Sequence, residues 1–376
     1  MVFYYKQRKD FSMRKSLRLP LFHMNIAVYF PASSEKDFNE TQRFIVETSF
    51  LMVRQHSEHK FIIITDKRSA EQFPFSNIET IVIKPVSKNG VLKKIWFDVK
   101  LPAILKKIKA DLFISFHNAC SSTVSIPQYM FIQDIEKTKK THIKKAQLLL
   151  ITNNLMKKEL IEKYGVPEKR LTVVYPSANK MFDPINEEEK ASIKNKYSEG
   201  KEFFLFNSIF FRQEDLIDLL KSFSYFKKRQ QSNFKLLLTT PINSFFEKSL
   251  AGYKYRSDVK FIDTNDKQEQ ALIAASAYAV VLPFNTNEDL IPVLNTMRSG
   301  VPVIAVKNSV VNEVAEDVAL YAETATAKDI GEKMIQVYTD ENYRFKLIEK
   351  GKEVAVTYTD ENAAEILWQS ILKVLE

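Results

Sequence analysis

Two α/β domains, each a parallel sheet wrapped by helices and facing the other across a cleft, are the fold class this sequence predicts. Three observations lead there. Short apolar runs alternate with stretches of helical spacing along most of the chain. The runs are apolar throughout rather than at every second residue, as strands covered on both faces are. The rhythm stops once, over a polar stretch near the middle, and then restarts. A length of 376 residues also suits two such units better than one.

The first unit is predicted to open at Met24. Strands are expected at Asn25 to Phe30, Lys60 to Thr65, Ile78 to Ile83, Asp111 to Ser115, Tyr129 to Gln133 and Leu148 to Thr152, with Val173 and Val174 closing the half. Between them, Glu40 to Gln55, Trp96 to Lys107 and Asn154 to Tyr164 have helical spacing, Pro102 being out of place in a helix interior. Pro176 to Gly200 is polar and reads as the connection. The second unit then repeats the pattern. Its strands fall at Phe203 to Phe206, Phe234 to Leu238, Val259 to Ile262, Ala279 to Leu282 and Pro302 to Val306. Its helices fall at Asp215 to Arg229, Gln268 to Ser276, Ile291 to Ser299 and Ala327 to Thr339. Glu341 to Val354 and Asp360 to Leu375 add two more. The division expected is 1–23, a basic extension; 24–182, the first domain; 183–200, a linker; 201–360, the second domain; and 361–376, a helix placed to cross back to the first.

Composition narrows the function. No apolar run approaches the roughly 20 residues that span a bilayer, and Lys and Arg interrupt the start before a signal-peptide core forms. A single cysteine, Cys120, excludes an internal disulfide and fits a reducing cytoplasm and a structural thiol. The net charge of +9 favours anionic partners without choosing among them. No nucleic-acid-binding motif accompanies it, so specific nucleic-acid binding is set aside. Lys6, Arg8, Lys9, Arg14, Lys15 and Arg18 are interleaved with Phe3, Tyr4, Tyr5 and Leu17. That mix can sit on an anionic membrane surface; the plainer reading, preferred here, is a disordered tail, or an extension upstream of a start at Met13 or Met24. There are only 7 glycines, so few loops of the kind that let backbone approach a phosphate.

Several stretches carry a family resemblance. They are "ADLFISFHN" (Ala110 to Asn118), "LLLITNNLMKKELIEKYGVPEKRLTVVYPSANKMFDP" (Leu148 to Pro184), "FFLFNSIFFRQEDLIDLLKSF" (Phe203 to Phe223) and "EDLIPVLNTMRSGVPVIAVKNSVVNEVAEDVALY" (Glu288 to Tyr321). In order and spacing they resemble glycosyltransferase family 4, most closely in the register of Pro292, Gly300, Pro302, Val303, Glu313 and Val314. The resemblance implies the GT-B fold, two Rossmann-like domains facing across a cleft. It implies a retaining hexosyl transfer from a nucleotide-diphosphate sugar held by the second domain to a glycan or lipid-linked acceptor met from the first. No cofactor or metal is implied, since basic side chains and helix N-termini carry the diphosphate charge; no Asp-x-Asp pair is present.

The same resemblance assigns residues, several of them altered. Arg212 falls where the family holds the leaving diphosphate, and a guanidinium can fork two phosphate oxygens. It is equally a solvated loop residue. Gln213 or Glu214 stands in place of the family's following Lys. Asn207 and Ser208 occupy the strand-end position of a glycine. Aligning on Pro292 puts Asn287 and Asn295 where the family has a Glu pair, the first on the transferred sugar and the second on the ribose; Glu288 lies one residue from the first. A hydrogen bond to a charged group contributes about 1.5–3 kcal/mol against about 0.5–1.5 for a neutral pair, so losing the ribose Glu would cost about tenfold in affinity. Gln133 replaces a family histidine, and His117, after its own strand, is the candidate substitute or a packing residue. Lys137, Lys139, Lys140, Lys144 and Lys145 crowd a short segment, facing anionic lipid or solvating a helix.

Two functions follow. One is a glycosyltransferase of cell-envelope polysaccharide synthesis, working in the cytoplasm or peripherally on the inner membrane face. The other is a catalytically degenerate GT-B pseudoenzyme serving as partner or scaffold to an active enzyme.

Overall fold

The computed structural model describes residues 23–30, 40–66, 76–84, 90–206, 213–240, 244–283, 290–307 and 310–375. Their strands form two sheets, every pairing parallel. The first has seven strands: β1 (Asn25–Tyr29), β2 (Lys60–Asp66), β3 (Ile78–Ile83), β4 (Leu112–Ser115), β5 (Gln128–Phe131), β6 (Leu148–Ile151) and β7 (Leu171–Val173). Their spatial order is β3-β2-β1-β4-β5-β6-β7. The second has six: β8 (Phe203–Phe206), β9 (Lys235–Leu238), β10 (Val259–Phe261), β11 (Ala279–Leu282), β12 (Val303–Val306) and β13 (Leu320–Ala322), ordered β10-β9-β8-β11-β12-β13.

The reason for unbroken apolar strands is visible in the packing. Ile26, Val28, Ile63, Ile114 and Phe131 point to one face of the first sheet, against helices Glu40–Gln55 and Asp360–Leu375. Their chain neighbours Ala27, Tyr29, Ile64 and Phe113 point to the other, against Trp96, Phe97, Leu101 and Leu105. Both faces are covered, so most strand positions are apolar; the buried Ser115 and Gln128 have hydrogen-bond partners. Helix Asp360–Leu375 closes the first sheet rather than the second: Tyr129 donates its hydroxyl to the Ile371 carbonyl at 3.1 Å, and His56 stacks on Trp368 at 3.8 Å between centroids.

Strand β13 and helices Ser244–Ala251 and Val311–Ala315 were not expected from sequence, and two further elements differ from that reading. The polar stretch expected as a bare connection contains helix Glu187–Ser198, started by a reciprocal cap between Asn186 and Glu189. The helix expected at Trp96 begins earlier, at Gly90, and takes one π turn over Trp96–Lys100 before resuming at Leu101–Lys107. Proline at 102 has no N–H to give the carbonyl of Asp98; that carbonyl instead accepts the Thr123 hydroxyl at 2.7 Å.

In the second unit, helix Ala327–Thr339 lies close against helix Gln213–Gln230 through Gly331. A Cβ there would sit 2.7 Å from the Tyr225 ring and 3.1 Å from the Ser222 carbonyl. Gly331→Ala ordinarily gains helix propensity; here it is expected to cost about 1–3 kcal/mol through overpacking, read as a lower urea midpoint. An unchanged or raised midpoint would show that the two helices separate freely.

Candidate active site

In an open parallel sheet the ligand crevice lies at the carboxyl ends of the strands, where the strand order reverses. Each sheet has one such point. In the first it falls between β1 and β4, and in the second between β8 and β11. His117 lies two residues beyond the end of β4, at the first of these points.

His117 is held by its surroundings. Its carbonyl accepts the Ser115 hydroxyl at 3.0 Å. Gln133, beyond β5, braces the same turn: its Nε2 donates to the Phe116 carbonyl at 3.1 Å and its backbone N–H to Asn118 Oδ1 at 2.8 Å. Gln42 of helix Glu40–Gln55 donates in turn to Gln133 Oε1 at 3.3 Å. Gln133 thus fixes the loop that carries His117. His117 Nε2 lies 3.0 Å from Lys93 Nζ. Burial, then the charge of Lys93 and the nearness of His142, push the imidazole pKa down to about 4. At neutral pH it is uncharged, and in the tautomer that leaves Nε2 unprotonated this nitrogen accepts a hydrogen bond from the Lys93 ammonium. Burial first, and Lys139 second, lower the pKa of Lys93 as well. The result is a compact basic group at the first switch point, suited to an anion or to sugar hydroxyls.

The halves meet in several places. Lys267, opening helix Lys267–Ala275, pairs with Glu40 at 3.2 Å. A cavity of about 180 Å³ lies beside them, its lining including Arg43, Phe44, Asn179, Phe182 and Ile291. Asn295 lies on helix Ile291–Arg298, 2% exposed, and its Oδ1 accepts the Asn179 N–H at 2.8 Å. One turn on, Ser299 donates to the Phe182 carbonyl at 3.1 Å, and Arg298 pairs with Asp183 at 2.6 Å. The connector is therefore tied along this helix. Glu313, on helix Val311–Ala315, accepts the backbone N–H groups of Asn154 at 2.6 Å and Leu155 at 2.8 Å, and the Tyr175 hydroxyl at 3.2 Å. Those N–H groups begin helix Asn154–Tyr164, where a carboxylate is favoured by the helix dipole.

Of the residues assigned from sequence, His117 and Asn295 are in the described structure, one at the first switch point and the other on helix Ile291–Arg298, bonded to Asn179. Asn207, Ser208, Arg212, Asn287 and Glu288 lie outside the described residues, in the segments that follow β8 and β11. Lys93 and Glu313 gained no site role from sequence, because their partners are 24 and at least 138 residues away. Cys120 is buried, its thiol donating to the His142 carbonyl at 3.5 Å and pushed up to about 12 chiefly by burial, which leaves it no nucleophile. Among the described residues no group of three or more His, Cys, Asp or Glu is placed to hold a metal ion, and no helix is long and apolar enough to cross a membrane.

Two parallel-sheet units, each with one switch point, make up the GT-B architecture. The comparisons point the same way: residues 187–354, a little under half of the chain, match the model of Glycosyl transferases group 1. A glycosyltransferase from Rickettsia africae ESF-5 superposes with a TM-score of 0.75 at 15% identity, over 94% of this chain and 99% of that one. WaaG, a glycosyltransferase involved in lipopolysaccharide biosynthesis, gives 0.65 at 16%, over 91% and 99%. HepE of Anabaena, in complex with UDP and glucose, gives 0.67 at 12%, over 93% and 100%. At such identities these structures establish the fold. In sequence, the chain is 25% identical over 219 residues to chitobiosyldiphosphodolichol beta-mannosyltransferase of Kluyveromyces lactis. That match takes in 52% of this chain and 49% of the relative, so it spans about half the length of the curated protein.

Proposed function

We propose that this protein transfers a hexose, with retention, from a nucleotide-diphosphate sugar to a glycan or lipid-linked acceptor of cell-envelope polysaccharide synthesis. The observation that carries the reading is the strand order: the residues assigned from sequence follow the strands that flank the two switch points. In this reading the donor lies at the β8–β11 point. Arg212, Asn207 and Ser208 receive the diphosphate; Asn287 or Glu288 contacts the sugar. Asn295 reaches the ribose only through its amide nitrogen, since its oxygen is held by Asn179. The acceptor approaches from the β1–β4 point, where His117 accepts or orients a hydroxyl. No metal or other cofactor is needed in this scheme. The site of action is the cytoplasm or the inner membrane face.

A second reading, a catalytically inactive partner of an active glycosyltransferase, is favoured by the same Asn295 contact together with Asn287 and Gln133. One experiment separates the two. UDP or GDP at 1 mM is expected to raise the melting temperature by several degrees, since a ligand at 100 times its Kd adds about 2.7 kcal/mol. Arg212→Ala should abolish the shift. No shift with any nucleoside diphosphate, together with co-purification of a second glycosyltransferase, would replace the first reading with the second.

A further inference from the structure

The helix that starts at Gly90 has two unlike sides. Trp96, Phe97, Leu101 and Leu105, each 8% exposed or less, anchor it on the first sheet, with Trp96 and Phe97 against the Tyr29 ring at 5.1 and 5.6 Å. On the other side Val91, Leu92, Ile95 and Val99 are 69%, 54%, 45% and 62% exposed. Four of the eleven large exposed hydrophobic residues in the described structure thus fall on one helix. Their spacing puts them on a single stripe. The stripe is not the by-product of a loose element, because the opposite side is packed firmly.

Charge surrounds the stripe. Lys94 and Lys100 are exposed on the same helix. Lys139, just before helix Lys140–Lys145, is near enough to lower the pKa of Lys93. Lys140 and Lys144 of that second helix are exposed too. The nearby carboxylates are mostly engaged: Asp98 accepts the Ser122 N–H at 2.7 Å and Asp134 pairs with Lys137 at 2.8 Å, leaving Glu136 exposed. An apolar stripe bordered by lysines is the pattern of a helix lying in the headgroup layer of an anionic bilayer. A second copy fits less well, since a two-fold contact would set Lys94 and Lys100 against their own kind. A polyanion such as RNA would use the lysines and leave the stripe in water.

We propose that the stripe of Val91, Leu92, Ile95 and Val99, with its surrounding lysines, is the surface by which this protein docks on an anionic membrane. Lys93, which contacts His117, belongs to the same helix as the stripe; a bearing of the docking on a lipid-linked acceptor rests on the proposed function.

Vesicle sedimentation with the full chain tests the docking. The protein is expected to sediment with phosphatidylcholine–phosphatidylglycerol vesicles at low salt and to be released by high salt. Val91→Glu/Val99→Glu should weaken that binding on the order of tenfold or more. Lys94→Glu/Lys100→Glu should weaken it on the order of fivefold or more per lysine. All four positions are exposed, so neither variant should change the melting temperature or the shift caused by UDP or GDP. That control separates failure of the docking surface from failure of the transferase reading. Absence of sedimentation would overturn the proposal. So would wild-type binding by Val91→Glu/Val99→Glu, which would assign attachment to the basic segment 1–23.

Discussion

Glu313→Ala is expected to lower the melting temperature and loosen the two halves of the molecule together. The carboxylate takes two backbone N–H groups at the start of helix Asn154–Tyr164, at 2.6 and 2.8 Å, and the Tyr175 hydroxyl. Hydrogen bonds to a charged group contribute about 1.5–3 kcal/mol each, and the partial exposure of this pair brings the loss to roughly 2–4 kcal/mol. Alanine would also leave the helix start without its compensating charge. Glu313→Gln keeps one acceptor oxygen and should fall between the two. Because the bonds join the second unit to the first, small-angle scattering should show a larger radius of gyration for the alanine variant. Equal melting temperature and equal radius would mean that the connector contacts of Asn295, Arg298 and Ser299 hold the halves by themselves.

Acid is expected to weaken the fold before the carboxylates begin to titrate, with His117 as a principal cause. Burial holds its pKa near 4, with the Lys93 charge and His142 adding to the shift, whereas an unfolded histidine titrates near 6.5. Between those values the unfolded chain binds the proton and the folded chain does not. Stability from this residue is therefore complete above pH 6.5 and declines as pH falls towards 4, by on the order of 3 kcal/mol. His59 and His142, both lowered mainly by burial, contribute in the same direction. Glu269, held down to about 2 first by its hydrogen bond to Lys196, loses its contribution only at lower pH. Urea titrations of the wild type and His117→Gln from pH 7 to 4.5 should show a shallower decline in the variant, which still offers Lys93 an oxygen. Parallel declines would remove His117 from the account.

The fold was legible in the sequence because burial on both faces leaves a strong trace. A run such as Leu148 to Ile151 has no other economical reading, and two sets of such runs about one polar interval imply two sheets. Helix Glu187–Ser198 was not legible by the same rule, since Ile193 and Ser198 are its only buried residues. Its trace was the cap pair Asn186 and Glu189, a local signal that a search for apolar spacing passes over. Pro102 suggested a break where the chain makes a π turn, because sequence does not reveal that Thr123 takes up the spare carbonyl. At the site, His117 could be named from its place after an apolar run. The Lys93 beside it could not, since only folding brings together helix Gly90–Ile95 and the end of β4. Glu313 stood in the family register, but its partners belong to the other half, and no local pattern announces them.

Helix Asp360–Leu375 has a bearing on how the chain is made. Ala363, Ala364, Leu367, Trp368 and Ile371 complete the core beneath β1, β4 and β5. A ribosome finishes the last strand of that sheet, at Val173, long before it reaches them. At about 5–20 residues per second the interval is roughly 10–40 s. Through that time Phe44, Ile45 and Met52 wait without their cover, while the second unit has its own core within itself. The half made first is thus the half completed last, and a chain halted before Trp368 would leave the ribosome with its oldest sheet still open.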